Sequence, residues 1–469
     1  MRNLALLVAP SAAALLALIA CQDDPAGGGA EFSLDAGPIG FDASSPPTDA
    51  TFPDAPAPDA APDAPVVPAV SVTVLDAKGG GKAGVRIVFH DATGAVIDSK
   101  LTDAGGKAVH TGDTPAMASA LLELPGRRRI VTWTGVEDGD DLRIRGDEAD
   151  GALGDYLVTL PTLYEGAGMY RVAGPCGSVL AYGTGASLPL YEGCARAQNP
   201  VLVTARTFSG TTLAHAFKKG APVSADAGTA SVVVGGWTAP STLTVSIAGL
   251  PPQISFDPTL LEISGGVGID NPNASIDGSS VTFQTATGFS DAHQASISVG
   301  DSESFASRRT LTKRFAPAAA ASLDYATLLP LVTDAAVDGS TPRRPVLSWQ
   351  GSTVAADGGL VQVSFDGPDA ADHEYEYEWT FVVPPGTNTV TAPAMPIEAE
   401  PFLPVDDAQA FIGIPRVLFV EADVLPSYAQ FRAQYVAAFG DAELRSGYDL
   451  PAFLANGTYR TTGVFLVPL

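Results

Sequence analysis

Apolar and polar residues alternate with period two along most of the chain, the pattern of strands with one buried face. Val70, Val72 and Val74 alternate with Ser71, Thr73 and Leu75, and Val85, Ile87 and Phe89 alternate with Arg86, Val88 and His90. Turn chemistry at Asp76 to Gly84, Asp91-Ala92-Thr93-Gly94 and Asp103-Ala104-Gly105-Gly106 separates such runs at short intervals. The pattern continues at Val232-Val233-Val234, Leu243 to Ile247, Val281-Thr282-Phe283 and Val361 to Phe365, each flanked by Gly, Pro or Asp. Glu374 to Phe381 alternates strictly, with Tyr375, Tyr377, Trp379 and Phe381 on one face and glutamates on the other. One helix interrupts the strands. Ser427 and Gln430 have capping-box spacing, and Tyr428, Phe431, Tyr435, Val436 and Phe439 follow on one face before Gly440. The pattern predicts an all-β fold: several β-sandwich modules in series, with one short helix in the C-terminal region.

Two N-terminal segments break this rhythm. Residues 1–20 carry one positive charge at Arg2 and an apolar stretch from Leu4 to Ala20, broken only by Pro10 and Ser11. Such a stretch reads as a secretory signal, being short and proline-broken for a helix across a ~30 Å hydrocarbon core. From Gln22 to Ala69 there are ten prolines, nine acidic residues and no Lys or Arg, with Pro-Asp-Ala recurring between Phe52 and Pro65. Proline fixes φ and like charges repel. The segment therefore cannot bury a core and reads as a disordered tether, extended at ~3.1 Å per residue to a reach of about 140 Å.

Composition supports this picture and narrows the partners. The 469 residues include 49 Gly and 38 Pro, an excess of turn formers, and 46% are hydrophobic, enough for several cores. Asp+Glu number 52 against 26 Lys+Arg, a net charge of −26 with no long basic block, so nucleic acid is excluded as a partner.

Leu18-Ile19-Ala20-Cys21 resembles the lipobox of bacterial lipoproteins. That resemblance implies that Cys21 is acylated and becomes the first residue of the mature chain, held in a lipid bilayer by several acyl chains. Gln22 stands where an Asp would favour retention in the inner membrane, so the expected location is the cell envelope, the outer membrane rather than the inner. With Cys21 lipidated, Cys176 and Cys194 remain as an even pair in an exported chain and are expected to form a disulfide. Neither CxxC nor a neighbouring His accompanies them, which speaks against a metal site.

A second resemblance covers residues 70–148. Val72-Thr73-Val74, Ala83 to Val88, Gly94-Ala95-Val96 and Thr102 to Ala108 are similar to the carboxypeptidase regulatory-like domain, a small transthyretin-like β-sandwich. This implies a non-catalytic accessory module. Arg344 to Trp349 is similar to the first strand of fibronectin-type sandwiches. The expected modules are therefore 70–148, a disulfide-bearing β domain at 149–250, a β domain at 251–340, and a β-rich domain with the helix at 341–469.

Candidate chemistry is sparse. Five dispersed histidines form neither HxH nor HExxH, and no G-x-S-x-G or S-x-x-K is present. Gly79 to Gly84 matches GxGxxG, but a strand follows it where a phosphate site requires a helix. Glu137-Asp138-Gly139-Asp140-Asp141 offers oxygens to Ca²⁺ without EF-hand spacing and reads first as a solvated turn. Tyr375, Tyr377 and Trp379 could stack on sugar rings if their face is open, and are core if it is covered. The expectation is a lipid-anchored envelope lipoprotein with a non-enzymatic binding or structural role, needing no catalytic residue, metal or cofactor. Its partners would be the bilayer, through acylated Cys21, and an unidentified envelope protein or glycan. A carbohydrate-binding surface protein is the alternative, and a hydrolase whose residues converge without a local motif is the third reading.

Overall fold

The computed structural model describes residues 69–76, 79–146, 151–192, 194–223, 228–272, 274–300, 307–341, 343–368, 374–403, 411–412, 415–425, 427–435 and 456–464. The signal sequence, Cys21 and the tether up to residue 68 lie outside them. The described residues form an all-β protein.

The first module holds β1 (Ala69–Leu75), β2 (Arg86–His90), β3 (Val96–Leu101), β4 (Lys107–Thr111), β5 (Met117–Leu124), β6 (Arg127–Thr134) and β7 (Asp141–Arg145). Its two sheets, ordered β4-β1-β7 and β6-β5-β2-β3, close a sandwich. The period-two pattern drives this closure. Val70, Val72 and Val74 point inward to meet Ile87, Phe89, Ala118, Ala120 and Leu122, all buried. The turn that carries the chain from β3 to β4 in the other sheet requires Gly106, whose φ is +76° and where a Cβ would lie 2.4 Å from the Val74 carbonyl oxygen.

The second module follows as β8 (Ala152–Thr159), β9 (Met169–Gly174), β10 (Gly177–Ala181), β11 (Gly185–Tyr191), β12 (Gln198–Arg206), β13 (Thr212–Pro222) and β14 (Ala230–Val233). The third comprises β15 (Pro240–Ala248), β16 (Asp257–Ser264), β17 (Val267–Asp270), β18 (Ala274–Asp277), β19 (Ser280–Ala286), β20 (Ala292–Gly300), β21 (Ser307–Phe315) and β22 (Ala320–Asp324). All three modules share one topology. The order β4-β1-β7 recurs as β11-β8-β14 and β19-β15-β22, and β6-β5-β2-β3 recurs as β13-β12-β9-β10 and β21-β20-β16-β17. Even the mixed pairing is repeated: each first strand runs antiparallel to the fourth member of its set and parallel to the last. Strand β18 is an addition at the edge of the third copy.

The fourth module is built differently, from β23 (Thr333–Asp338), β24 (Val346–Gln350), β25 (Gly358–Pro368), β26 (Glu374–Val383), β27 (Thr389–Thr391), β28 (Phe411–Ile412), β29 (Arg416–Ala422), a single turn α1 (Tyr428–Gln430) and β30 (Gly457–Val464). Its sheets are β23-β24-β27 and β30-β29-β25-β26. Ser427 caps α1, its hydroxyl accepting from the Gln430 amide, and a π turn over Phe431–Tyr435 follows. Phe431 is buried in the first module's core, and Val436 and Phe439 lie outside the described residues.

The modules follow one another along the chain, yet three of them share a sheet. β30 pairs antiparallel with β21 of the third module, and β26 pairs parallel with β6 of the first. The result is one 13-stranded sheet running through the first, fourth and third modules. The second stands outside it, docked on the third where Ala173, Leu202 and Phe217 meet Val267, Ile269, Ala286 and Phe289. Two expected boundaries shift. The Leu243 to Ile247 strand begins the third module, so that boundary falls at 234–239 and not at 250, and β23 belongs to the fourth, which moves the next from 340 to between β22 and β23. An alternating run shows that a strand is present without showing which sheet it joins.

Candidate functional site

Cys176 and Cys194 form a disulfide, with Cα atoms 5.2 Å apart. It ties the β9–β10 turn to the loop after β11 within the buried core of the second module. The structure brings this expected pair together.

The aromatic strand is covered, which corrects the open-face reading of Tyr377 and Trp379. β26 lies between β25 and β6 inside the long sheet, and from Tyr377 to Val383 its side chains are buried on both faces. Tyr377 and Trp379, 3% and 1% exposed, join Ile130, Val361, Val363 and Trp349 in one core. They are not available to stack on sugars. The side chain of Tyr375 lies outside the described residues. On the opposite face Glu378, also buried, sits 3.5 Å from Arg127 and 3.3 Å from Arg129. These pairs hold the parallel β26–β6 junction from within.

The acidic turn is occupied by the protein itself. Asp138 accepts from the Ala69 amide at 2.8 Å, and Asp141 accepts from Ser71 and is paired with Arg143. Arg432, 1% exposed, reaches from the fourth module to Glu137 (2.9 Å) and Asp140 (2.8 Å), donates to the Gly135 carbonyl and lies over the Tyr428 ring. An arginine clasp uses the oxygens that a cation would need. Among the described residues no group of three or more His, Cys, Asp or Glu could hold a metal.

Four of the five histidines are described; His293 lines a cavity of the third module beside several hydroxyl side chains, and the other three are buried within the fold. His90 Nε2 lies 3.0 Å from Ser119 Oγ, the geometry of a base beside a nucleophile, but both are fully buried. Burial drives the His90 pKa down to about 4. The hydroxyl continues a polar row, Ser119 to Thr132 at 2.8 Å and Trp379 Nε1 donating to Thr132 at 2.9 Å, that crosses the β6–β26 junction. Substrate cannot reach it, so the row acts in cohesion between modules. His215 is likewise lowered to about 4 by burial, and His110 is fixed by Asp98 at 2.8 Å. His373 lies outside the described residues.

Two features were not legible in sequence. A cavity of about 300 Å³ in the third module is lined by Ser241, Thr285, Thr287, Ser290 and His293, among others. Below it the buried Glu262 accepts from Asn271 (2.9 Å), the Ala286 amide (2.9 Å) and Ser290 (3.0 Å). Burial raises its pKa against these three donors. Since its acceptor sites are engaged by three elements, Glu262 works as a tie between them. The second feature is an aromatic group at one end of the second module. Trp237 stacks on Tyr170 (5.6 Å) and meets Tyr164 edge-on (5.7 Å), and its indole donates to the Thr162 carbonyl at 2.7 Å. Trp237 and Tyr164 remain partly exposed, and Leu163 (55%) and Phe208 (78%) on nearby loops are open to solvent. These aromatics come from separated turns, so no local motif announces them.

No family model matches the chain, and no curated protein matches it. Among solved structures, the major pilin subunit BcpA of Bacillus cereus overlaps at 8% identity and a TM-score of 0.15, over 55% of this chain and 98% of that one. The Bacillus anthracis TIE protein overlaps at 9% identity and a TM-score of 0.15, over 55% of this chain and 49% of that one. The shaft pilin spaA of Lactobacillus rhamnosus GG overlaps at 10% identity and a TM-score of 0.14, over 36% and 99%. Overlaps this small carry no functional weight.

Proposed function

We propose that the protein is a non-enzymatic structural or binding protein displayed from the cell envelope, anchored by lipid on Cys21 and held away from the membrane by the acidic tether. The observation that carries this reading is how the tethered end enters the fold. β1 begins at Ala69, directly after the tether, and lies between antiparallel β4 and parallel β7. Tension along the tether would be borne first by the ladder bonds that hold β1 to both neighbours. The first module is in turn fixed to the fourth through β6–β26 and Arg432. Such a mounting suits a body held at a distance from a surface. The test is metabolic labelling with radioactive palmitate: wild type takes up label and partitions into detergent, and Cys21→Ala does neither. Absence of label from wild type would refute the location. Turnover of ester, peptide or glycoside substrates by the purified chain would refute the class.

The Trp237 group favours a second reading, a carbohydrate-binding surface protein, because partly exposed stacked aromatics present flat apolar faces to sugar rings. Glycan-array binding that disappears in Trp237→Ala while the melting temperature holds would establish it. An array without signal would remove it.

A further inference from the structure

Strand β3 ends the 13-stranded sheet, and among the described residues no strand pairs with its outer edge. It is also unusually apolar for an open edge, with Val96, Ile97 and Leu101 exposed by 38%, 41% and 55%. We propose that this edge pairs antiparallel with β3 of a second copy of this chain, with a two-fold axis at Ser99.

Backbone phase and charge together fix that register. Thr102 donates its amide to the Val85 carbonyl at 2.8 Å, and the pairs Ile87↔Lys100 and Phe89↔Asp98 continue the same ladder, before a bulge at Ile97 carries it on to His90↔Val96. In an antiparallel pair the bonding groups of alternate residues face the partner, so those of Ser99 and Leu101 face the open edge. A second β3 must therefore bring odd-numbered residues opposite odd-numbered ones. Centring on Ser99 sets Asp98 opposite Lys100 twice, uniting opposite charges, and brings the exposed Leu101 of each copy to the bulged Ile97 of the other. Moving the axis by one residue toward Lys100 sets Lys100 against Lys100. Moving it toward Asp98 sets Asp98 against Asp98. Of the registers the backbone phase allows near the strand centre, only the one on Ser99 avoids like charges.

Net charge permits the contact. Residues 69–146 contain ten Asp+Glu and ten Lys+Arg, 10 − 10 = 0, in a chain whose net charge is −26. The copies would thus meet through the one module that carries no net repulsion. Lys100 and Asp98 already lie 3.0 Å apart within one copy, and pairing would extend them into an alternating four-charge cluster. A six-residue edge makes a small interface, so the association should be weak and strengthened by confinement at a surface. The proposal does not depend on acylation.

The test uses the full-length chain in a Cys21→Ser background, in which Ser99→Cys supplies the single thiol outside the Cys176–Cys194 disulfide. Directly paired positions have Cα atoms about 5.5 Å apart, within reach of a short bifunctional thiol reagent. Ile97→Cys would lie about 14 Å from its own copy, four residues further along the strand, and within reach only of Leu101→Cys. Ser99→Cys alone is expected to cross-link into a dimer, Ile97→Cys alone to stay monomeric, and a mixture of Ile97→Cys with Leu101→Cys to cross-link. Adding Lys100→Asp to Ser99→Cys should lower the cross-linked fraction about tenfold, and mixing that chain with one carrying Ser99→Cys and Asp98→Lys should restore it. Equal cross-linking at residues 97 and 99, or none at 99 in protein whose thermal melt matches wild type, would overturn the proposal.

Discussion

His90 and His215 are two of the residues through which pH reaches the fold. Each is held by burial at a pKa of about 4, below the ordinary 6.5, so each is neutral in the folded chain and protonated in the unfolded one between those values. The unfolded state then binds more protons, and stability falls as pH drops from about 6.5 toward 4. Two pH units within that window correspond to at most about 2–3 kcal/mol per histidine. Glu262 acts with the opposite sign. Its raised pKa adds stability that is present at low pH and is lost as pH rises through its folded value. Chemical denaturation at pH 7 and pH 4.5 should show the acid loss in wild type and a clearly shallower loss in His90→Gln/His215→Gln. An unchanged slope would mean that other groups govern the acid response. Neither histidine announces this in sequence, because period-two neighbours mark a strand without showing that a sheet covers both of its faces.

Among the elements, β26 shows what sequence could and could not convey. Its alternation identified the strand and both faces correctly, and a sandwich strand with glutamates on one face reads as half-exposed. The missing information was the neighbour. β6, some 250 residues earlier, covers the second edge, and Arg127 and Arg129 meet Glu378 from it. Three consecutive arginines at 127–129 in a strand were the available signal, since buried guanidinium groups call for a buried carboxylate. The disulfide was legible because cysteine parity needs no tertiary knowledge. The repeated topology was not, because equivalent strands share alternation but little identity. Glu378→Ala removes the carboxylate facing both guanidiniums from a buried site and should cost about 3–5 kcal/mol of stability. The loss should appear in the melt of the long sheet, and a cost below about 1 kcal/mol would show that the junction rests on apolar packing alone.

At the scale of the whole molecule, continuity of sheets sets what unfolds together. The first, third and fourth modules share one hydrogen-bonded sheet, and the fourth supplies the strands on which the other two depend for their inner edges. Losing β26 or β30 exposes edges in two modules at once, so these three should melt as one cooperative unit. The second module keeps both of its sheets, its own core and its disulfide to itself, and meets the third through a small apolar patch, the contact of Arg171 with Asp270 and the ion pair of Lys219 with Asp291. It should melt separately. Calorimetry is expected to show two endotherms, the larger from the fused sheet. Reduction, or Cys176→Ser/Cys194→Ser, should move only the smaller one, by about 3 kcal/mol for a loop with a sequence separation of 18. Phe289→Ala, which empties the docking patch, should widen the gap between the two without displacing the larger, provided the third module keeps its core. One endotherm that shifts as a whole on reduction would show that docking couples all four modules, making the second a full partner of the sheet that excludes it.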